Sequence, residues 1–313
     1  MSSYQYVFLV GCPRSGTTLL QEMLNAHPAI ALAPELFYIR NYVKHPEQFG
    51  SLDSIEVRQK LAEDIINQHW FPKLYWETQN FKEWILSRGK SHKFIYKGLL
   101  EQYGKRKSAK WIGDKTPNNI LYIQQIVDFF PNARFIHIVR DPRAVVNSWK
   151  KVPWTTGSRT GDAKIWKKYN QAILSAPSEI QQNIYTVIYK NLLTNPKEEL
   201  TKICTFLSLD YTDEMESYTT TESSFEIKKE PWKAKANRPP DPNRIDSWKN
   251  SATKTEIAAI ESITASLMRK WNYQPITPLW QRLLFWPFRI VLPYWTYFFR
   301  KMRDEDWIST FRS

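Results

Sequence analysis

The sequence predicts an α/β fold, a parallel sheet flanked by helices on both faces. Three observations predict it. Apolar runs of strand length recur at Tyr6–Val10, Trp111–Gly113, Arg134–Val139 and Ile184–Tyr189. Stretches with apolar residues at helical spacing alternate with them. The connections are long enough to cross over, so neighbouring strands pair in parallel and the crossovers cover the sheet. The 313 residues, 42% hydrophobic and 24% charged, are enough for a sizeable core.

Tyr6 to Val10 is a short run rich in β-formers and reads as a buried first strand. Gly11 to Gly16 reads as a loop. Thr17 to Ala26 carries Leu19, Leu20, Met23 and Leu24 at helical spacing and reads as a helix ended by Pro28. Residues 37–110 are aromatic and polar with patchy helix signals; they read as a mainly helical, substrate-facing insertion. Trp111-Ile-Gly113 reads as a strand leading into the turn Asp114-Lys-Thr-Pro117. Asn118 to Phe130 reads as an amphipathic helix capped by the asparagine. Arg134 to Val139 is a buried strand, and Pro142 to Lys150 a helix with proline in its first turn. Ala163 to Gln182 reads as helix, Ile184 to Tyr189 as strand, and Pro196 to Leu207 as helix. Residues 228–250 are basic and proline-rich and read as a long loop. Thr253 to Trp271 reads as a helix with Ile257, Ile260, Ile263 and Leu267 on one side. The expected organisation is one domain over 1–274 and an aromatic, basic C-terminal extension over 275–313.

The net charge of +13 favours polyanionic partners: nucleotides, anionic lipids or glycans, nucleic acid. No recognised motif supports nucleic acid. Two cysteines, Cys12 and Cys204, make neither a disulfide framework nor a metal cluster. The five histidines lack metal-ligand spacing, so no metal is expected. The first residues show no basic leader followed by a cleavage site, so a cytoplasmic protein is expected. In the extension, Trp280, Trp286, Tyr294, Trp295, Tyr297, Phe298 and Phe299 are interleaved with Arg282, Arg289, Arg300, Lys301 and Arg303. The charge-free stretch Ile290–Phe299 falls far short of the roughly 20 residues of a spanning helix. Rings with polar edges beside basic groups suit a headgroup boundary, so residues 278–303 are expected to meet an anionic membrane surface. Packing back on the domain is the alternative.

Gly11-Cys-Pro-Arg-Ser-Gly-Thr-Thr18 stands between a strand and a helix. Loop and helix N–H groups converge there, and the helix dipole favours an anion. The pattern approaches the triphosphatase loop G-x4-G-K-[ST], which gives the fold its nucleotide-kinase-like P-loop character. Thr17 replaces the lysine, and Arg14 stands three positions earlier. The lysine is what reaches the β- and γ-phosphates, so its loss argues against ATP hydrolysis.

Pro13-Arg-Ser-Gly-Thr-Thr-Leu19, followed by Met23-Leu-Asn-Ala-His-Pro28, resembles the 5′-phosphosulfate loop and first helix of the sulfotransferases, nearest the tyrosylprotein and bacterial branches. Phe135-Ile-His-Ile-Val-Arg-Asp-Pro-Arg143, continuing to Ser148, resembles the family's 3′-phosphate segment. Gly113-Asp-Lys-Thr-Pro117 resembles a turn lining its active site. Tyr189-Lys-Asn-Leu-Leu-Thr-Asn-Pro196 is similar to its Tyr-Glu-x-Leu…Pro segment, with Lys190 in place of the glutamate. The matches run in order over 6–40 and 110–208.

The resemblance implies transfer of a sulfuryl group from 3′-phosphoadenosine 5′-phosphosulfate to an acceptor hydroxyl; a membrane-facing extension would make that acceptor a lipid or glycoconjugate. Such a reaction needs positioning and charge stabilisation above all. It assigns Arg14, Ser15, Gly16, Thr17 and Thr18 to the 5′-phosphosulfate, and Arg140 with Ser148 to the 3′-phosphate. Tyr189 would stand near the nucleotide, and Arg244 and Lys249 would close over it. Glu35 would be the general base and Lys115 would reach the sulfuryl oxygens. The family's Glu-Glu-Thr-Arg is Pro34-Glu-Leu-Phe here, so Phe37 replaces an arginine and Arg40 is only a weak substitute. His27 and His137 are rival bases, although His137 lies in an apolar strand and reads as core. Two further readings stand beside this one: a degenerate P-loop nucleotide kinase, and a non-catalytic nucleotide-binding peripheral membrane protein.

Overall fold

The computed structural model describes residues 4–45, 49–107, 109–152, 155–217 and 241–285. Its centre is a five-stranded sheet: β1 (Gln5–Gly11), β2 (Ile30–Ala33), β3 (Trp111–Asp114), β4 (Arg134–Val139) and β5 (Ile184–Ile188). All pairings are parallel, in the order β2-β3-β1-β4-β5. The helices are α1 (Thr17–Ala26), α2 (Ile55–Ile66), α3 (Thr78–Arg88), α4 (His92–Gly104), α5 (Ile123–Phe129) and α6 (Pro142–Ser148). They continue with α7 (Arg159–Leu174), α8 (Ser178–Gln181), α9 (Tyr189–Thr194), α10 (Pro196–Leu207), α11 (Lys254–Met268) and α12 (Leu279–Leu283).

Alternation along the strands sorts the core into two layers. Val7, Leu9, Ile136 and Ile138 join α1 and α10 through Leu20, Leu24, Leu200 and Ile203. Phe8, Val10, Phe135 and Val139 face the other way, toward α4, α5 and α7. The stretch 37–110 is mainly helical, as expected, and Leu61, Ile65, Phe81 and Leu99 bury it in this second layer. Gly113 lies against the Val7 backbone of the paired β1; a Cβ there would come 1.7 Å from the Val7 carbonyl oxygen.

Several elements differ from the sequence reading. Ile30–Ala33, to which the sequence reading assigns no element, is an edge strand registered on Trp111–Asp114. Four residues behind Pro28 are too few to show a strand period. The helix expected over Asn118–Phe130 is a 3-10 turn over Pro117–Tyr122 followed by α5. Asn118 does not cap it; Thr116 occupies the N-cap position, and the side chain of the neighbouring Asn119 is taken by Asp114. The run expected from Ala163 to Gln182 starts earlier, where the Ser158 side chain caps α7, and stops before Pro177. The last long helix closes at Met268, with a 3-10 turn over Arg269–Trp271. Its start is a capping box between Thr253 and Glu256. The basic loop carries 3-10 turns over Pro242–Arg244 and Ser247–Asn250; residues 228–240 lie outside the described residues. So do residues 286–303 of the aromatic extension. Among the described residues, no helix is long and apolar enough to cross a membrane.

Candidate active site

From β1 the chain runs to β2 and β3 on one side, then crosses to β4 and β5 on the other. The loops leaving β1 and β4 therefore diverge and open a crevice at the carboxyl edge of the sheet, where ligands bind in such folds. The first loop enters that crevice. Its tight turn is closed by the Ser15 N–H on the Cys12 carbonyl, 3.1 Å, with Arg14 at φ 73° and Gly16 at φ 103°. Gly16 is the N-cap of α1 and offers no side-chain cap, and the first turn carries no acidic residue. The positive end of the helix dipole is left facing the crevice. The glycine is also a steric requirement, since a Cβ would come within 2.6 Å of the Tyr189 ring. Two buried tryptophans hold the loops from behind: Trp149 Nε1 donates to the Pro13 carbonyl (3.3 Å), and Trp166 Nε1 to that of Arg140 (3.0 Å).

The arginines divide sharply. Arg140 follows β4 and donates to the carbonyls of Arg14 (3.3 Å) and Arg244 (3.1 Å), with its guanidinium 4.3 Å from the centre of the Tyr189 ring. Burial, together with the like charges of Arg140 and Arg244, lowers the Arg14 pKa to about 10. Arg14 Nε, Arg140 Nε and Ser15 Oγ are buried without a hydrogen-bond partner. Unpaired buried donors cost about 1–3 kcal/mol each. Donors clustered beside crowded cations fit a phosphate or sulfate group. Arg143, by contrast, is spent on structure, gripping Asp141 at 2.6 Å and Glu261 at 2.8 Å.

Other assigned residues take varied places. Thr17 is buried and Thr18 half-buried in the first turn of α1. Ser148 ends α6, and its hydroxyl donates to the Val145 carbonyl at 2.7 Å. Lys249 is not brought to the cluster; it is exposed and pairs with Asp246 at 2.7 Å.

Glu35 and Lys115 meet. Glu35 leaves β2 and Lys115 leaves β3, adjacent strands in register, and their side chains form an ion pair. The lysine side chain is 2% exposed and the glutamate 16%. Asp114 is wholly buried and accepts from Thr116 Oγ1 (2.8 Å), Tyr96 OH (3.1 Å) and Asn119 Nδ2 (3.0 Å). Burial pushes its pKa up to about 7 against those hydrogen bonds. Phe37 sits at φ 49°, with Arg40 5.9 Å from the centre of its ring. His27 is engaged by the Asp210 carbonyl and the Ala29 N–H. His137 is core, as expected, between Thr186 and Asn170, and burial lowers its pKa to about 4. Sequence reasoning missed Tyr96 and Asn119, which carry no local signal. Asp114 stood in view within the Gly113–Pro117 turn. Among the described residues, no three His, Cys, Asp or Glu side chains are placed to hold a metal ion.

Residues 6–213 match the model of a family described as the sulfotransferase family. A protein-tyrosine sulfotransferase of Drosophila melanogaster is 27% identical over 214 residues, covering 66% of this chain and 38% of the fly protein. Protein-tyrosine sulfotransferase A of Caenorhabditis elegans is 24% identical over 290 residues, covering 86% of this chain and 67% of the worm protein. Among solved structures, the sulfotransferase domain of the Synechococcus PCC 7002 olefin synthase superposes with a TM-score of 0.63 at 23% identity. The superposition covers 89% of this chain and 98% of that domain, and shows a shared fold.

Proposed function

This chain belongs to the sulfotransferase family, and we propose that it transfers a sulfuryl group from 3′-phosphoadenosine 5′-phosphosulfate to an acceptor hydroxyl. The donor supplies an activated group: its S–O bond to the 5′-phosphate breaks as the acceptor oxygen bonds to sulfur. The observation that carries this reading is the convergence of Arg14, Arg140 and Arg244 around buried donors that lack partners. A crevice built this way asks for an anion with more than one charged group.

Ser15, Gly16, Thr17, Thr18 and Arg14 hold the 5′ end, where the helix dipole adds to the arginine charge. Arg140 and Ser148 hold the 3′-phosphate, and Arg140 is kept in place by its two carbonyl partners and the face of Tyr189. Arg244 closes the nucleotide side. Glu35 takes the proton of the acceptor hydroxyl, and Lys115, already on Glu35, offsets charge on the sulfuryl oxygens.

Calorimetry tests this reading. Adenosine 3′,5′-bisphosphate should bind far better than ADP or AMP. Arg140→Ala should cost about tenfold or more in that affinity, the value of one charge-assisted contact. Equal affinity for all three nucleotides would overturn it, and a preference for ADP would favour the degenerate kinase.

A second property rests on a separate observation. Ile276, Leu279, Trp280, Leu283 and Leu284 are all exposed, Trp280 to 62%, on the last described segment. Together with Arg282 and the basic, aromatic residues that follow, they support peripheral docking on an anionic bilayer; a cytoplasmic location is part of the same proposal. An acceptor carried on a lipid or membrane glycoconjugate would suit that placement.

A further inference from the structure

We propose that Asp114 is the positioning residue that sets the Glu35–Lys115 pair, so that turnover depends on a carboxylate that touches neither substrate nor donor. The inference rests on the reading of Glu35 and Lys115 given above.

Asp114 closes β3, immediately before Lys115, and is fully buried. Its three donors come from three places: the β3 turn, α4 of the insertion, and the 3-10 turn after Pro117. Two of them also grip the segment that carries Glu35. Thr116 Oγ1 donates to Asp114 and accepts the Phe37 N–H at 3.5 Å. The Tyr96 ring, whose hydroxyl donates to Asp114, stacks on Tyr38 at 4.8 Å with an interplanar angle of 8°. The Tyr38 hydroxyl in turn meets His92 Nδ1 at 3.1 Å. Residues 37 and 38 are thus clamped from two sides, and both clamps end on one carboxylate.

The Lys115 side of the pair is anchored at the same point. The Lys115 N–H donates to the Ala33 carbonyl at 3.0 Å, so its backbone is tied to the end of β2, two residues before Glu35. Asp114 and Ala33 are register partners. The β2 and β3 ends therefore carry one catalytic candidate each, and the network on Asp114 fixes the spacing between them. Phe37 at positive φ bends the chain at the clamp, a conformation that a non-glycine residue holds only when its surroundings over-determine it. A misplacement of a reacting group by 1 Å can cost about 10²-fold in rate. A residue that keeps the pair in register is therefore expected to act on kcat, and to leave the nucleotide cluster on β1 and β4 alone.

Two readouts test this together. The first is turnover of radiolabelled 3′-phosphoadenosine 5′-phosphosulfate with a membrane lipid and glycolipid extract as acceptor, alongside calorimetry with adenosine 3′,5′-bisphosphate. Asp114→Asn should lower kcat by about 10²-fold, with nucleotide affinity unchanged. The second is competitive acetylation of lysines read by mass spectrometry. In the wild type Lys115 should resist acetylation, relative to the exposed Lys197 and Lys202. In Asp114→Asn its labelling should rise by about tenfold, as the local opening becomes easier. Thr116→Val should behave like Asp114→Asn, and Thr116→Ser, which keeps the hydroxyl, should behave like the wild type. Tyr96→Phe keeps the stack and removes one donor, and so decides the matter should Asp114→Asn fail to fold. Wild-type kcat and wild-type Lys115 labelling in Asp114→Asn would overturn the proposal. So would a loss of nucleotide affinity and Tm in proportion to kcat, which marks a general structural role. If the wild type neither binds the bisphosphate nor turns over the donor, the sulfotransfer reading fails, and the acetylation comparison still decides the positioning.

Discussion

Arg140 and Arg143 stand three residues apart, and their surroundings give them opposite tasks. Arg143 is neutralised on both sides by Asp141 and Glu261. Arg140 has carbonyls and an aromatic face as neighbours, and its charge is the one proposed to meet the 3′-phosphate. The motif Val-Arg-Asp-Pro-Arg shows two arginines around one aspartate, and only the packing tells which of them the aspartate takes. Glu35 poses a similar question, since its carboxylate both pairs with Lys115 and is the base proposed for the acceptor. Glu35→Gln separates the roles, because the amide oxygen still accepts a hydrogen bond from Lys115 but takes up no proton. Turnover should fall by about 10²–10⁴-fold, with adenosine 3′,5′-bisphosphate affinity retained in calorimetry. Normal turnover in that variant would place the base elsewhere.

Among the elements, α6 and α11 show how the nucleotide side is braced. Arg143, on α6, reaches Glu261 on α11 and the Gln274 carbonyl at 3.0 Å. Glu261 also accepts the backbone N–H groups of Ile276 and Thr277 and the Thr277 hydroxyl. One buried ionic network thus pins the end of the domain to the helix that follows Arg140. Removing one partner from such a network leaves a buried charge uncompensated, at a cost of about 3–5 kcal/mol. Arg143→Ala should therefore lower Tm by many degrees in thermal unfolding, whereas Arg140→Ala should leave Tm nearly unchanged and weaken nucleotide binding. Equal Tm losses would mean that Arg140 too is mainly structural. The elements also show where periodicity stops informing. Arg134–Val139 and Pro196–Leu207 match their sequence ranges, being long enough to show a strand or helix pattern. Ile30–Ala33 was invisible because a four-residue edge strand is defined by its partner, β3. The turn after Pro117 escaped because the buried Asp114 draws in the Asn119 side chain.

At the scale of the whole molecule, the sheet order sets the crevice, and the last described segment sets a surface. Full-length protein should co-sediment with phosphatidylserine vesicles, less so at high salt, and little with neutral ones. A chain ending at Thr277 keeps the partners of Glu261, and should stay in the supernatant while still binding nucleotide. Full-length protein that stays in the supernatant with both vesicle types would end the membrane reading. Some of this was open to reading from the order of residues alone, because it depends on neighbours along the chain. The strand–loop–helix around Gly11–Thr18 is of that kind, as are the alternation that makes a parallel sheet and the motifs that place Arg14 and Arg140. Glu35 and Lys115 were candidates on the same basis. What brought those two together was the pairing of β2 with β3, across 80 residues of chain. Folding likewise set Arg140 beside Arg14 and Arg244, left Lys249 on the surface, and made Asp114 a buried hub. Burial, charge crowding and hydrogen bonding act between groups close in space, and a chain shows that closeness only after it has folded.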